Sequence, residues 1–298
     1  MFAILISTKN RKADLVFTLQ QMVPLLERDD VEFVVYDDGS SDGTSEAVAE
    51  NFPKVKLLRN EISKGYMFCR NQMLNETAAD YAISLDDDAH FLSENPLDEI
   101  QAYFSGNPKC GLIAFRIFWN TKSPINTLST QNPHRVQGFV GCGHAWRMEA
   151  WRSIPDYPLW FEFYGEEDFS ALHLLKQNWE VHYVPQVLIQ HRVDMKLRSQ
   201  LNKDFGFRYR RSLRSGWYSY LMLYPASKIP RIIAYSGLMQ LKKIFKGNFK
   251  IINPFFGAGY DLILNARNLF KNRAPLTISE YETYRQLKET KIFWTPEK

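Results

Sequence analysis

The chain has only three cysteines, Cys69, Cys110 and Cys142, and no CxxC pair. That scarcity argues against a disulfide framework and a cysteine-held zinc site, and makes a reducing compartment the simplest setting. No run of about 18 apolar residues occurs, so no membrane-spanning helix is expected. The opening MFAILISTKNRK holds a short apolar run, with no basic segment before it and no small-residue cleavage site. A secretory signal peptide is therefore not expected. Internal repeats and low-complexity tracts are also missing.

What is present fits a soluble globular chain of 298 residues, 45% hydrophobic and 23% charged. That length suits one large domain, or one domain with an appendage. Aromatics are plentiful at 14%, which suits a cleft, a membrane-facing surface or a rich core. The net charge of +4 hides a split: residues 195–298 carry 20 Lys and Arg against 6 Asp and Glu, and the rest carries 17 against 27. Such a division suggests a chemistry-bearing part, 1–194, and a basic, mostly helical part, 195–298, with different partners.

Short apolar runs at 2–7, 31–38, 55–60, 81–87 and 110–118 alternate with helical patterns at 11–27, 43–51 and 66–77. This reads as an α/β chain of βαβ units with a mostly parallel sheet flanked by helices. Ligands of such sheets sit at the carboxyl ends of the strands. The polar clusters fall there: Ser7 and Thr8, Asp37 and Asp38, and Asp86, Asp87 and Asp88. Residues 119–140 read as a long polar loop, often a functional feature.

Three adjacent aspartates repel one another by roughly 4 kcal/mol per pair at ~4 Å and an effective dielectric of ~20. A cation reverses the sign, and Mg²⁺ or Mn²⁺ suits carboxylates that share it with phosphates. Asp86 and Asp88 would face one side of an extended strand and Asp87 the other. A solvated acidic turn is the competing reading, at even odds on spacing alone. In VVYDDGSSDGT, a strand ends at Asp37–Asp38 and Ser41 or Asp42 caps a helix starting near Gly43. In FYGEEDFSAL, the acidic run Glu166, Glu167 and Asp168 opens a helix. The dipole alone would favour it there, and a general base in a cleft is the functional alternative. The neighbours Trp160, Phe161, Phe163 and Tyr164 either desolvate that base or are core. His90 reads as a helix-start residue.

Taken in order, the segments ISTKNR, VVYDDGSSDGT, SKGYMFCRNQML, SLDDDAHF, GCGHAWRMEAW and FYGEEDFSALHLLKQNWEVHYVPQVLIQH resemble the family 2 glycosyltransferases over residues 2–192. The resemblance implies a GT-A, Rossmann-like nucleotide-binding fold. It also implies inverting transfer of a sugar from a nucleotide-diphosphate donor to an acceptor hydroxyl, with Mn²⁺ or Mg²⁺ as cofactor. Carried over by position, Ser7, Thr8 and Asp38 would contact the nucleotide, and Lys64, Arg70 and Asp87 the donor. Asp86 and Asp88 would hold the metal, with His191 approaching it. Glu167 or Asp168 would be the base, with Glu166 beside them, because EEDFSAL leaves the family's helix start ambiguous by one residue. Gly143 and His144 would meet the acceptor, a saccharide or lipid-linked saccharide of cell-surface polysaccharide synthesis.

Three other classes compete, one of them a phosphoryl-transfer hydrolase with an aspartate nucleophile from DDD, which lacks a second strand-end lysine motif. A sugar-1-phosphate nucleotidyltransferase would need a Gly-rich loop after the first strand, and STKNRK has no glycine. A non-catalytic binding scaffold has no need for the acidic run at 166–168. Residues 196–250 interleave Arg and Lys with aromatics, which suits an anionic bilayer or nucleic acid. The bilayer is favoured, with Arg210 and Arg211 as expected anchors, and no nucleic acid is expected. The expected location is the cytoplasm, peripheral to the membrane.

Overall fold

The three polar strand ends lie side by side because their strands run in parallel register. In the computed structural model, which describes residues 1–194 and 204–290, β1 (Phe2–Thr8) lies between β2 (Val31–Asp37) and β4 (Tyr81–Asp86). Thr8 pairs with Asp37, and Ser7 pairs with both Tyr36 and Asp86. β3 (Lys56–Arg59) extends the parallel set beyond β2. Alternate residues serve opposite faces. Ile4 and Ile6 join one core and Ala3 and Leu5 another, so both faces are covered.

Helices cross between these strands: α1 (Lys12–Gln21), α2 (Val23–Leu26), α3 (Thr44–Asn51) and α4 (Tyr66–Glu76). The single helix expected over 11–27 breaks at Met22, just before Pro24. Asp42 accepts from the Thr44 and Lys12 amides at 3.1 and 3.0 Å, so it orders the turn before α3.

The second half of the sheet is mixed. After β5 (Ala89–Phe91) and α5 (Pro96–Gly106) come β6 (Cys110–Trp119), β7 (His134–Arg135), β8 (Gly143–Arg147), α6 (Met148–Arg152), α7 (Glu166–Lys176) and β9 (Glu180–His191). The sheet order is β3-β2-β1-β4-β8-β6-β9-β5, with β7 on β9. β8 is antiparallel to both β4 and β6. His90, expected to open a helix, instead lies within β5, which pairs antiparallel with β9.

β9 carries an irregularity. Phe115 pairs with Val184, but its neighbour Arg116 pairs with Leu188, so Pro185, Gln186 and Val187 loop out of the ladder. Proline has no amide hydrogen to give a ladder. Before the loop, Val181 and Tyr183 pack with Trp146; Val187 within it and Ile189 after it pack in the opposite core.

The basic carboxyl-terminal part is helical: α8 (Phe205–Leu223), α9 (Ile229–Phe245), α10 (Ile252–Leu264), α11 (Ala266–Lys271) and α12 (Ile278–Gln286). Tyr218 and Met222 of α8, with Tyr281 and Tyr284 of α12, enter the same core as Trp146 and Phe161. Thr277 and Glu280 form a capping box at the start of α12. The anchors expected at Arg210 and Arg211 are turned to other work. Arg210 pairs with buried Asp261, and Arg211 with Glu162. Lys196, Arg198 and Lys203 of the expected basic stretch lie outside the described residues.

Candidate active site

β4 and β9 build the acidic end of the site. β5 turns back after Asp88 and pairs Ala89 with His191, which brings the end of β9 against the aspartates. His191 Nε2 lies 2.9 Å from Asp88 Oδ1 and 3.7 Å from Asp86 Oδ2. Asp86, Asp88 and His191 each offer one ligand atom within 4.8 Å of the others, the only such trio among the described residues. Two carboxylates and an imidazole at this spacing fit a divalent cation of the Mn²⁺ or Mg²⁺ type. Asp87 and Asp88 lie in the turn after β4, and Asp87 is turned toward β1 and α1. It accepts from Thr8 Oγ1 at 2.7 Å, and Thr18 Oγ1 holds its carbonyl.

Arg11, at the start of α1, was not singled out in the sequence. Its Nε sits 3.1 Å from Asp87 Oδ1 and its Nη2 2.7 Å from Asp88 Oδ2. The sequence signal was a lone arginine opposite three like charges; only the fold shows that they meet. Burial acts to raise the Asp88 pKa, but His191 and Arg11 outweigh it and hold the carboxyl at about 2. Burial pushes Asp87 up to about 7, with Arg11 opposing and Asp88 adding to the rise. Burial acts against charge on His191, yet Cys142 and Asp88 carry its pKa upward.

The second acidic cluster stands at the start of α7, behind Gly165. Glu166 is buried, and Glu167 Oε1 accepts from the Gly141 amide at 3.2 Å. A Cβ on Gly141 would lie 2.9 Å from that oxygen, so only glycine permits this approach. Burial raises the pKa of both glutamates; Arg70 opposes the rise, and for Glu167 the Glu166 charge adds to it. Asp168 has an exposed surface but stands near Tyr220, Tyr224 and Tyr284, where crowding by surrounding protein and then Glu167 raise it to about 6. Phe161 is core, and Trp160 packs on it and on Tyr218.

Arg70 of α4 joins the two clusters. Its side chain is 4% exposed, with Nη2 2.5 Å from Asp86 Oδ1 and 3.1 Å from the Gly141 carbonyl. Nη1 lies 3.6 Å from Glu166 Oε1, and the guanidinium stands over the Tyr66 ring.

The remaining expected residues divide. Ser7 is half-buried at the end of β1, and Lys64 is exposed with its ammonium over Phe68. Asp38 is saturated by its own chain. It accepts from Asn60 Nδ2, Ser63 Oγ and the amides of Lys64 and Gly65 at 2.6–2.9 Å. Four donors fill the four acceptor positions of a carboxylate, so Asp38 holds the loop 60–65 in place. Burial opposes its charge, but those donors win and its pKa falls.

Gly143 and His144, expected at the acceptor, face the interior. A Cβ on Gly143 would lie 2.2 Å from Ile189 Cδ1, so the missing side chain leaves room for that of Ile189. His144 is fully buried, with its ring 4.4 Å from Phe139 and no short hydrogen bond to either nitrogen. Burial and then Arg70 drive its pKa well down. A saccharide reaches neither residue in this arrangement.

The family profile Glycosyl transferase family 2 matches residues 3–159. The chain belongs to glycosyl transferase family 2. No curated protein matches it. Among solved structures, the family 2 chain is similar to the mannosyltransferase PcManGT from Pyrobaculum calidifontis in complex with GDP-Man and Mn²⁺. That match has TM-score 0.56 and 16% identity, over 95% of this chain and 78% of that one. It is also similar to GalNAc-T7 with UDP, GalNAc and Mn²⁺, at TM-score 0.55 and 16% identity, over 65% of this chain and 44% of that one. S. aureus TarS matches at TM-score 0.53 and 16% identity, over 70% and 38%. This family 2 chain thus spans less than half the length of GalNAc-T7 and TarS. At such identity the likeness establishes a shared GT-A fold.

Proposed function

We propose that this family 2 member is an inverting glycosyltransferase that moves a sugar from a nucleotide-diphosphate donor to a saccharide or lipid-linked acceptor hydroxyl. One observation carries the reading: Arg70 ties a cation-type trio to Glu166, next to Glu167, so a charge-neutralising site and a candidate base lie side by side. The GT-A neighbours captured with UDP or GDP-Man and Mn²⁺ support the donor class.

In this reading Asp86, Asp88 and His191 hold Mn²⁺ or Mg²⁺. The ion's chemistry when bound is neutralisation of charge that develops on the leaving diphosphate. Asp87, with Thr8 and Arg11, shapes the floor beside it, and Ser7 and the loop held by Asp38 line the nucleotide side with Lys64. Glu167 is the proposed base. It lies on the Gly141 and Arg70 side, whereas Asp168 points toward α8 and α12. Its raised pKa matches a base that takes a hydroxyl proton near neutral pH. Stabilising charge as it develops favours the transition state over the ground state. Residues 1–194 would carry this chemistry and the helical part the acceptor's surroundings, at the cytoplasmic face of a membrane. Among the described residues no helix is long and apolar enough to cross one.

Calorimetry with UDP, dTDP and GDP, with and without Mn²⁺, followed by product mass with matching sugar nucleotides, tests the reading. Metal-dependent diphosphate binding and a glycosylated product are expected. Preference for a triphosphate would favour a nucleotidyltransferase, and no nucleotide binding a scaffold.

A further inference from the structure

Helices α9 and α10 turn much of their apolar surface outward. A surface helix ordinarily turns its apolar stripe to the core and its polar face to water. Ile229 and Ile232 at the start of α9 do pack on the core, but further along Gln240 is its buried residue, held by Tyr209, and Ser236 accepts from Trp217 Nε1 at 2.9 Å. Both contacts point toward α8. Leu238, Leu241 and Phe245, spaced for one face, stand outward, Phe245 at 87% exposure. In α10 the buried residues are Pro254, Ala258 and Asp261, the last paired with Arg210 and Arg214. Phe256, Tyr260 and Ile263 face out, and Phe270 follows on α11 at 79% exposure.

The charge around these residues has one sign. From 205 to 279 the only acidic residue is Asp261, buried and ion-paired, against thirteen Lys and Arg. Lys242, Lys246 and Lys250 are exposed beside Phe245 and Phe249. Water-exposed Phe, Leu and Ile at this density mark an interaction surface. Aliphatic side chains do not stack on bases, so nucleic acid would explain the lysines and leave the leucines and isoleucines idle. An anionic bilayer takes both: rings and aliphatic chains enter the acyl boundary while lysines stay at the headgroups.

We propose that the outward faces of α9, α10 and α11, residues 229–271, seat this protein in the interfacial layer of an anionic phospholipid bilayer as a monotopic anchor. This deepens the functional reading by placing the acceptor at a lipid surface. The surface itself is argued from exposure and charge and does not rest on the donor chemistry.

The test is cosedimentation with vesicles of phosphatidylcholine alone and of phosphatidylcholine and phosphatidylglycerol in equal parts. Three full-length proteins are compared: the unaltered chain, a charge variant (Lys242→Glu, Lys246→Glu, Lys250→Glu) and an apolar variant (Phe245→Ser, Phe256→Ser, Phe270→Ser). The unaltered chain should partition strongly to the anionic vesicles and at least about tenfold less to the neutral ones, since each basic residue near such a surface contributes about fivefold. Both variants should lose about tenfold or more while keeping their thermal melts and their Mn²⁺-dependent nucleotide binding. An apolar variant that partitions like the unaltered chain overturns the proposal, and so does a chain that ignores both vesicle types. Light scattering that finds a stable dimer, dissolved by the apolar variant and blind to vesicles, would assign the surface to a second copy instead. Loss of nucleotide binding with vesicle binding intact would sink the transferase reading and leave this one standing.

Discussion

Arg70 Nη2 lies 2.5 Å from Asp86 Oδ1, inside a protein wall where the guanidinium is 4% exposed. A buried arginine needs its charge met. Here one end meets a carboxylate of the cation trio and the other meets Glu166. The two acidic clusters are therefore electrostatically one unit.

Breaking that unit should be expensive. Arg70→Met leaves Asp86, Glu166 and Glu167 without their common counter-charge, and a cost of roughly 3–5 kcal/mol is expected in denaturant unfolding. The loss should depend on pH. Glu166 already has a raised pKa, and removing Arg70 raises it further. Stability from such a group is fully present below its unfolded value, about 4.5, and is lost as pH rises through the folded value. The variant's deficit should thus be small near pH 4 and grow toward pH 8. A deficit independent of pH would show that Arg70 acts by packing alone.

Asp88→Asn keeps the shape and removes the charge that faces both His191 and Arg11. Nucleotide diphosphate affinity in Mn²⁺ should fall by at least roughly ten- to hundredfold, the scale set by loss of partners around a metal. Affinity in chelator should hardly change. Equal affinities in Mn²⁺ for the variant and the unaltered chain would remove the aspartates from the metal's shell.

Glu167→Gln and Asp168→Asn separate the two candidates for the base. Turnover should drop about 10²–10⁴-fold in the first and stay within about tenfold in the second, with donor affinity kept in both. On the proposed assignment the working form is ionised Glu167, whose pKa burial and Glu166 push up. The rate should therefore rise with pH along an acidic limb displaced above the ordinary glutamate range. Full activity in both variants would place the base elsewhere.

Gly143→Ala tests a different kind of constraint. The added methyl meets Ile189 Cδ1 at 2.2 Å, an overpacking expected to cost about 1–3 kcal/mol. A lower thermal midpoint with unchanged nucleotide affinity is expected. The reverse pattern, a stable protein with lost binding, would return Gly143 to the ligand.

The parallel half of the sheet was legible because each of its strands is an apolar run, three of them stopped by polar clusters. The mixed half was less so. β8 inserts between β4 and β6 through long-range pairing that no local pattern encodes. β5 has three residues, too few for a period, and His90 was misread for that reason. The candidate metal trio was visible as residue types in order, but Arg11 was not, since a single arginine has no pattern until the fold sets it against Asp87 and Asp88. Asp38 was read as a ligand contact because a strand-end carboxylate looks the same whether it meets a base or four donors of its own chain. The mixing of basic and aromatic residues through α9 is visible in the sequence, but composition alone does not say which face turns inward.

The kink at Pro185 sets a parity. Three looped-out residues are an odd number, so odd-numbered positions of β9 look to one side before Val184 and to the other after it. Ile189 and His191 stand on the far side of that switch. The aim of the imidazole at Asp88 thus depends on how that loop hands the chain back to the ladder, and with it the third donor of the candidate cation trio.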